Sequence, residues 1–298
     1  MTGSLSHVLT PLHKIGCMLP AVRLRWQREV YTPETSAEKE LRRICQKGGR
    51  KMPFLFLSPS TQEFNPYITE GNEELWMNRL ADAMEPYLHA SGVNTGRNDP
   101  EAGAAGAIRL SNQGAWDFHL ALHSNASPEA LAGRQRGVDF YYYPASAAGL
   151  QMANILVDNI KPIYPLPERV QARPTTAIGE VRRTKAPSVL AELGYHDNVD
   201  DANWLTGNLD EIAQALSVGV TEYFGLPFLV PGEIISATVR LHDGALNLRG
   251  LPSTDGPVLA QMQNGAQVRI LAEYNDWYSI FYDGLYGFAD KRYITPND

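Results

Sequence analysis

Strand-like apolar runs alternate with helical stripes from residue 54 to residue 224, and this alternation limits the folds open to the chain. Phe54–Leu57 is a short continuous apolar run, as expected of a central strand that is buried on both faces. Further strand-like runs lie at 117–123, 138–143 and 187–192, and helical stripes lie at 76–88, 150–160 and 209–224. Such alternation is typical of a parallel sheet covered by helices. The sequence therefore predicts an α/β domain with a mostly parallel central sheet and helices on both faces.

Local signals refine the ends of these elements. Asn72 is a favourable helix N-cap, so the first helix is expected to begin directly after it. Pro86 is expected to kink that helix or end it early, because proline lacks the backbone N–H of a helix interior. Ser111–Gly114 is expected to form a turn before the strand at 117–123.

Residues 237–298 carry a different, all-β pattern, which follows a proline-flanked linker at 227–236. Short runs of strand-forming residues alternate here with Gly, Asp and Asn turns. Four segments together resemble the bacterial SH3 domain: Leu246–Arg249, Asn264–Gly265, Asp276–Tyr278 and Gly284–Gly287. The resemblance implies a small barrel that binds the cell wall or the protein's own first domain. Three aromatic residues, Trp277, Tyr278 and Tyr286, are candidates for a sugar or peptide platform, although Trp277 is expected to fill the barrel core.

Residues 1–51 form a basic extension without a convincing signal peptide. Lys47–Met52 is the kind of peptide that a translated ribosome-binding site would encode, so Met52 is the expected true start of the 52–226 domain. The alternative is a genuine disordered or helical extension. Without a signal peptide, export is expected to depend on lysis, a holin or a non-classical route.

Composition excludes several classes of protein. The net charge of −7 argues against a dedicated nucleic-acid binder, which usually carries a basic face. No apolar run reaches the ~18 residues that a membrane-spanning helix needs. Cys17 and Cys45 are the only cysteines, and both precede the predicted catalytic domain, so neither a disulfide framework nor a papain-like cysteine peptidase is expected.

The strand-like run at 117–123 ends in a polar turn that contains His123 and Asn125. A histidine at the end of a core strand, beside a hydroxyl and an amide, is well placed to bind a metal. The alternative is a histidine that is satisfied within the core or loop. Ligands of parallel sheets bind at the carboxyl ends of strands, where both His123 and Glu192 are expected to lie.

Three segments resemble the zinc-dependent N-acetylmuramoyl-L-alanine amidases of cell-wall turnover. They are Gly71–Glu74, Leu122–Ala126 and Val189–Gly194, and the resemblance covers about residues 53 to 226. It implies a zinc ion held by His123 and a helix-opening glutamate. Glu73 is preferred to Glu74 because the apolar stripe follows it with the family's spacing. Glu192 is expected to be the general base, because an unpaired carboxylate at the end of an apolar strand is energetically costly and would be retained only for a function.

The third zinc ligand is where the sequence departs from the family. The family has a histidine after its first strand, whereas Thr61 occupies that place here. Glu63 is the nearest competent ligand, and Gln62 and His196 remain alternatives. His119 is separated from His123 by ~13 Å along the strand, so both cannot bind one metal. Asn125 is expected to orient His123 or to bind substrate.

The sequence thus predicts a monomeric zinc amidase that acts on peptidoglycan, with no nucleic-acid partner. It would cleave the amide between the lactyl group of N-acetylmuramic acid and L-alanine. Two alternatives remain at this point. One is a metal-free relative that only binds cell wall, as the altered first motif suggests. The other is a zinc peptidase that cuts within the stem peptide.

Overall fold

A computed structural model describes residues 53–297, and a six-stranded sheet forms the core of the first domain. The sheet order is β2-β1-β3-β6-β4-β5. Its strands are β1 (Phe54–Pro59), β2 (Asn94–Arg97), β3 (Phe118–Asn125), β4 (Val138–Tyr142), β5 (Val170–Pro174) and β6 (Ser188–Tyr195). β4 pairs antiparallel with β6, and all other neighbours are parallel. The prediction of a mostly parallel sheet is confirmed, while the expectations for residues 1–51 and for Met52 concern residues outside this range.

Helices cover both faces of this sheet, as predicted. They are α1 (Glu73–Ala90), α2 (Gly103–Gln113), α3 (Ala147–Ile160), α4 (Gly179–Arg182), α5 (Val199–Gly207) and α6 (Leu209–Phe224). The main apolar cluster joins one sheet face to α1, α3 and α6. A smaller cluster of Ala121, Val181 and Leu190 joins the opposite face to α4. None of the helices in residues 53–297 has the length and apolar character needed to cross a membrane.

Two local predictions are wrong: the early end of the first helix at Pro86, and the turn at Ser111–Gly114. α1 does not end at Pro86 but continues to Ala90. Gly92 follows with a φ of 82°, the left-handed conformation that is typical of a helix end. Its buried face continues through Leu88, and that burial outweighs one missing backbone hydrogen bond. Ser111 does not form a turn but lies inside α2. The small residues and two glycines of α2 give a weak helical signal, so tertiary packing decides its structure.

The second domain is a seven-stranded antiparallel barrel-like sheet with the order β13-β7-β10-β11-β12-β8-β9. Its strands are β7 (Ile235–Val239), β8 (Ala245–Arg249), β9 (Val258–Gln263), β10 (Gln267–Tyr274), β11 (Trp277–Tyr282), β12 (Leu285–Asp290) and β13 (Ile294–Pro296). Its own core contains Val239, Leu248, Met262, Ile280 and Ala289, among others. The predicted small all-β domain is confirmed.

The outer face of β11 and β12 packs against the first domain. We call the side chains of Trp277, Phe281, Tyr286 and Phe288 the docking face, because all four join the apolar cluster of the first domain. Strand side chains alternate faces, so these four point away from the barrel core that Ile280 occupies. The prediction that Trp277 fills the barrel core is therefore wrong. Trp277 and Tyr286 also do not form an open platform with Tyr278, which packs on the barrel core.

Specific polar and ring contacts accompany this apolar packing. Asn94, at the start of β2, donates to the backbone oxygen of Tyr286 (3.2 Å) and accepts from its backbone N–H (3.0 Å). The rings of His89 and Tyr286 stack with centroids 3.9 Å apart. The docked barrel lies at the amino-terminal end of β1 and β2, since Phe54 also packs on the barrel core.

Replacing Gly92 with Ala is expected to destabilise the protein by about 2–6 kcal/mol. A Cβ at this position would lie 2.6 Å from a ring carbon of Phe288, which is fully buried. The backbone φ of +82° adds strain of about 1–3 kcal/mol, and overpacking adds about 1–3 kcal/mol. Urea denaturation of the two proteins measures the difference.

Gly244→Ala is the matched control, because Gly244 has a φ of +73° but no atom within 4 Å of a built Cβ. It should show the backbone strain alone. An equal loss of unfolding free energy in the two variants would mean that a clash with Phe288 does not contribute to the cost of Gly92→Ala.

Candidate active site

The carboxyl ends of β3 and β6 bring the first two candidate residues together. His123 and Glu192 are register partners in these parallel neighbours, so their side chains share one sheet face. His119 and Ala121 lie on the same face of β3, whereas Phe118, Leu120 and Leu122 face the main core. The apolar alternation of β3 therefore fixes where His123 points.

The first turn of α1 supplies a carboxylate to this strand end. The Asn72 side chain accepts the backbone N–H of Leu75 and so starts the helix as predicted. Glu73 is almost completely buried, and its Oε1 lies 2.8 Å from Nδ1 of His123. Asn65 donates to the other carboxylate oxygen of Glu73 (2.7 Å). Burial alone would raise the pKa of Glu73, but the hydrogen bond and charge of His123, with the hydrogen bond of Asn65, outweigh burial and lower the pKa below its usual value.

A second carboxylate, Glu180, lies on the opposite side of the His123 ring. Its Oε2 is 3.3 Å from Nε2 of His123, so the imidazole stands between two carboxylates. Burial alone would lower the pKa of His123, but the hydrogen bonds with Glu180 and Glu73 outweigh burial and raise it well above its usual value. Sequence analysis missed Glu180, because α4 has only four residues and therefore no apolar periodicity.

Glu180 is itself held by groups from other elements. Ser58, at the end of β1, donates to its Oε1 (2.5 Å), and Nε2 of His119 lies 3.3 Å from the same oxygen. Nδ1 of His119 lies 2.9 Å from the hydroxyl of Ser111 in α2. Burial alone would raise the pKa of Glu180, but the hydrogen bonds with His119 and His123 keep it below its usual range. His119 is fully buried and is not adjacent to Glu73.

Glu192 differs from the other carboxylates because one of its oxygens is unsatisfied. Its Oε2 is buried and has no hydrogen-bond partner among residues 53–297. Burial raises the pKa of Glu192 to about 7; the His123 charge opposes this, and Glu73 and Asp139 add to it. A carboxylate with a free oxygen and a pKa near neutrality is suited to proton transfer.

The candidates for a third ligand differ in their placement. Gln62 is nearest, with Nε2 3.3 Å from Nδ1 of His123 and Oε1 accepting from Asn65 (3.0 Å). Glu63 is exposed. His196 instead lies against Ser124, with Nδ1 3.1 Å from that hydroxyl, and stacks on Tyr67. Within the described part of the chain, no three His, Cys, Asp or Glu side chains converge on a metal position, so Glu63 stays a prediction without structural support.

Asn125 lies at the rim of the site. Its side-chain oxygen accepts the backbone N–H of Ala126 (2.9 Å), and its backbone oxygen accepts the N–H of His196 (2.8 Å). The side-chain amide is thereby turned away from any role in holding His123. Its predicted contact with substrate stays a prediction.

The chemistry of the facing pair fits a metal ion. Nδ1 of His123 lies 2.8 Å from Oε1 of Glu73, so a proton on Nδ1 joins the two groups in the metal-free protein, and a metal ion could take the place of that proton. Histidine nitrogen and carboxylate oxygen are both zinc ligands. His123 and Glu73 thus supply two of the three protein ligands that a catalytic zinc ion needs, on the Nδ1 side of His123, and the amide of Gln62 is the nearest third donor.

Two family models match the chain. The model described as N-acetylmuramoyl-L-alanine amidase matches residues 67–222, and the model of the bacterial SH3 domain matches residues 244–295. The first match includes Glu73, His123 and Glu192, whereas Glu63 lies before it. A comparison with curated proteins gives no match.

Two solved structures share the fold of the first domain. The catalytic domain of CwlV, an N-acetylmuramoyl-L-alanine amidase from Bacillus (Paenibacillus) polymyxa var. colistinus, is 18% identical with a TM-score of 0.51. That match covers 59% of this chain and 100% of the other. The CwlD amidase from Clostridioides difficile, in complex with the GerS lipoprotein, is 13% identical with a TM-score of 0.50, covering 58% and 98%. At these identities the likeness concerns the fold alone.

Proposed function

Because this chain belongs to the N-acetylmuramoyl-L-alanine amidase family, we propose that it hydrolyses peptidoglycan with a zinc ion and with Glu192 as general base. The bond cleaved is the amide between the lactyl group of N-acetylmuramic acid and L-alanine. The observation that carries the assignment of Glu192 is its buried, unpartnered Oε2 beside His123. A buried carboxylate oxygen without a hydrogen-bond partner costs free energy of folding, and a catalytic role is one reason why a protein retains such a group.

His123 and Glu73 are the residues that would hold the zinc ion. Both reach the same position from different elements, β3 and α1. Gln62 is the best-placed third donor, with Glu63 and His196 as the remaining candidates. A bound zinc ion would lower the pKa of a water molecule and polarise the amide carbonyl.

Glu192 would move the proton of the reaction. With a pKa of about 7, its carboxylate is ionised in an adequate fraction at neutral pH and can accept a proton from the attacking water at Oε2. The resulting carboxylic acid can then donate that proton to the nitrogen of the leaving L-alanine. Asn125 would donate its side-chain amide to the substrate from the rim of the site.

The barrel is proposed to assist by contact with the cell wall. Its docking face is covered by the first domain, so contact with the wall would use the remaining barrel surface. The docking face itself is not proposed to contact the cell wall.

Digestion of purified peptidoglycan with the full-length protein tests the proposal. Free lactyl carboxylates together with new N-terminal alanine are expected, and a zinc chelator should abolish their release. Zinc, added back after the chelator is removed, should restore it. These ends are measured by N-terminal labelling and mass spectrometry of the products.

Other results would identify the alternatives. New N-termini other than alanine would indicate a stem-peptide peptidase. Binding to the wall without any new chain ends would indicate a protein that only binds wall, which the absence of a third clustered ligand in the described residues favours over the peptidase. Chelator-resistant release of N-terminal alanine would retain the amidase and reject the zinc ion.

A further inference from the structure

The carboxylate on the Nε2 side of His123 has no role in the reaction described above. A histidine that binds a metal through one ring nitrogen usually donates the N–H of the other to a carboxylate or carbonyl oxygen, which fixes its tautomer. Glu180 Oε2 lies 3.3 Å from Nε2, while Nδ1 faces Glu73. We propose that Glu180 is a positioning residue, which accepts the Nε2–H of His123 and keeps the Nδ1 lone pair directed at the metal position. The inference rests on the proposed zinc function.

The surroundings of Glu180 make it an acceptor with a fixed orientation. Ser58 donates to Oε1, and His119 contacts the same oxygen while its other nitrogen lies against Ser111. With Oε1 occupied in this way, Oε2 is the oxygen that remains for His123. The contacts to the carboxylate come from β1 and β3, and Ser111 of α2 holds the His119 ring in place.

The fold explains how a four-residue helix can place this side chain accurately. His119 and His123 lie on one face of β3 with Ala121 between them. Val181, which follows Glu180 in α4, packs on Ala121 and on Leu190 of β6. This apolar contact fixes α4 over the centre of β3, and Glu180 is thereby inserted between the two histidines.

Glu180 does not replace the ligand that is missing at Thr61. Glu73 and Glu180 contact opposite nitrogens of one imidazole ring, and a single metal ion binds only one of these nitrogens. The carboxylate on the side of Glu73 is therefore the ligand candidate, and the one on the far side acts through His123.

Glu180→Gln tests the proposal because an amide has one acceptor and one donor in place of two acceptors. Its oxygen is expected to stay with Ser58 and His119, which turns the new NH₂ group toward Nε2 of His123. Nε2 must then accept, and the ring proton moves to Nδ1, where it blocks the metal position. We expect zinc affinity, measured by competition with a chelator, to fall about 10–100-fold. We also expect ring ¹⁵N NMR of the zinc-free variant to show His123 unprotonated at Nε2, whereas the zinc-free wild type carries a proton on Nε2 between His123 and Glu180.

Asp201→Asn is the matched control. Asp201 is also a buried carboxylate, which accepts from the hydroxyl of Tyr164 (2.7 Å) and from Arg136, away from His123. The Asp201→Asn variant should match the wild type in zinc affinity and in the protonation of the two His123 ring nitrogens, even if its stability falls. Equal zinc affinity and an equal ring pattern in wild type and Glu180→Gln would overturn the positioning role.

The two readouts separate this inference from the proposed function. A wild-type protein that takes up no zinc would reject the zinc reaction. Ring ¹⁵N NMR of His123 in the zinc-free proteins would still decide whether Glu180 holds the proton on Nε2. Retained Nε2 protonation in Glu180→Gln would then reject the positioning role on its own.

Discussion

Replacing Glu192 with Gln is expected to lower kcat/KM for amide hydrolysis by about 10²–10⁴-fold, the usual contribution of a general acid–base group. The amide keeps the size of the side chain but cannot accept the proton at Oε2. The wild type should lose activity as the pH falls below about 7, because protonation of Glu192 removes the base. A pH–rate profile on solubilised peptidoglycan measures both effects, and the residual activity of the variant should lack this acid limb.

The stability of the same variant provides an independent check. The pKa of Glu192 is raised from 4.5 to about 7, so the ionised form destabilises the folded protein as the pH rises from 4.5 through 7. Removal of the charge should stabilise the zinc-free protein by up to about 3 kcal/mol at pH 8 and by little at pH 4.5. A variant that keeps wild-type activity, or one that is destabilised at pH 8, would contradict the role of a strained, buried base.

Replacing His123 with Ala is expected to remove both zinc and activity, and also to destabilise the zinc-free protein by about 3–5 kcal/mol. The imidazole contacts Glu73 on one side and Glu180 on the other, and both carboxylates are buried. Its loss leaves two buried negative charges without their shared cation, which is the costly way to break a buried ion pair. Metal analysis and urea denaturation at neutral pH measure the two losses.

His196→Asn distinguishes a ligand from a nearby histidine. Nδ1 of His196 lies against Ser124 rather than against Glu73. We therefore expect this variant to retain about one zinc ion per chain, in contrast to His123→Ala. Loss of zinc from His196→Asn would make His196 the third ligand. Full retention of zinc by His123→Ala would reject the metal position on the Nδ1 side.

The sequence was informative where one local pattern determines the structure. The apolar alternation of β3 sets the direction of His123, and the cap at Asn72 sets the start of α1 at Glu73. These residues could be proposed because strand ends and helix starts are visible in a short window of sequence. That visibility explains why both were candidates before the structure placed them 2.8 Å apart.

Features that depend on distant contacts could not be predicted in this way. Glu180 reaches His123 across 57 residues of sequence, from a helix too short to leave a periodic signal. β5 was also missed, because it is a mostly exposed edge strand that ends in proline. The aromatic content of β11 was recognised, but a single sequence does not reveal that the first domain would cover Trp277.

If the barrel binds the cell wall as proposed, its docked position determines how far the active site lies from the anchor point. The barrel lies at the amino-terminal end of β1 and the active site lies beyond its carboxyl end, about 20 Å away along six residues of strand. A module on a flexible linker would let the catalytic domain search a volume around its anchor point. Rigid packing through the docking face instead sets a fixed distance and direction between the barrel and the active site. A molecule anchored through its barrel would cut only at that one offset, and would have to dissociate before it could cut elsewhere.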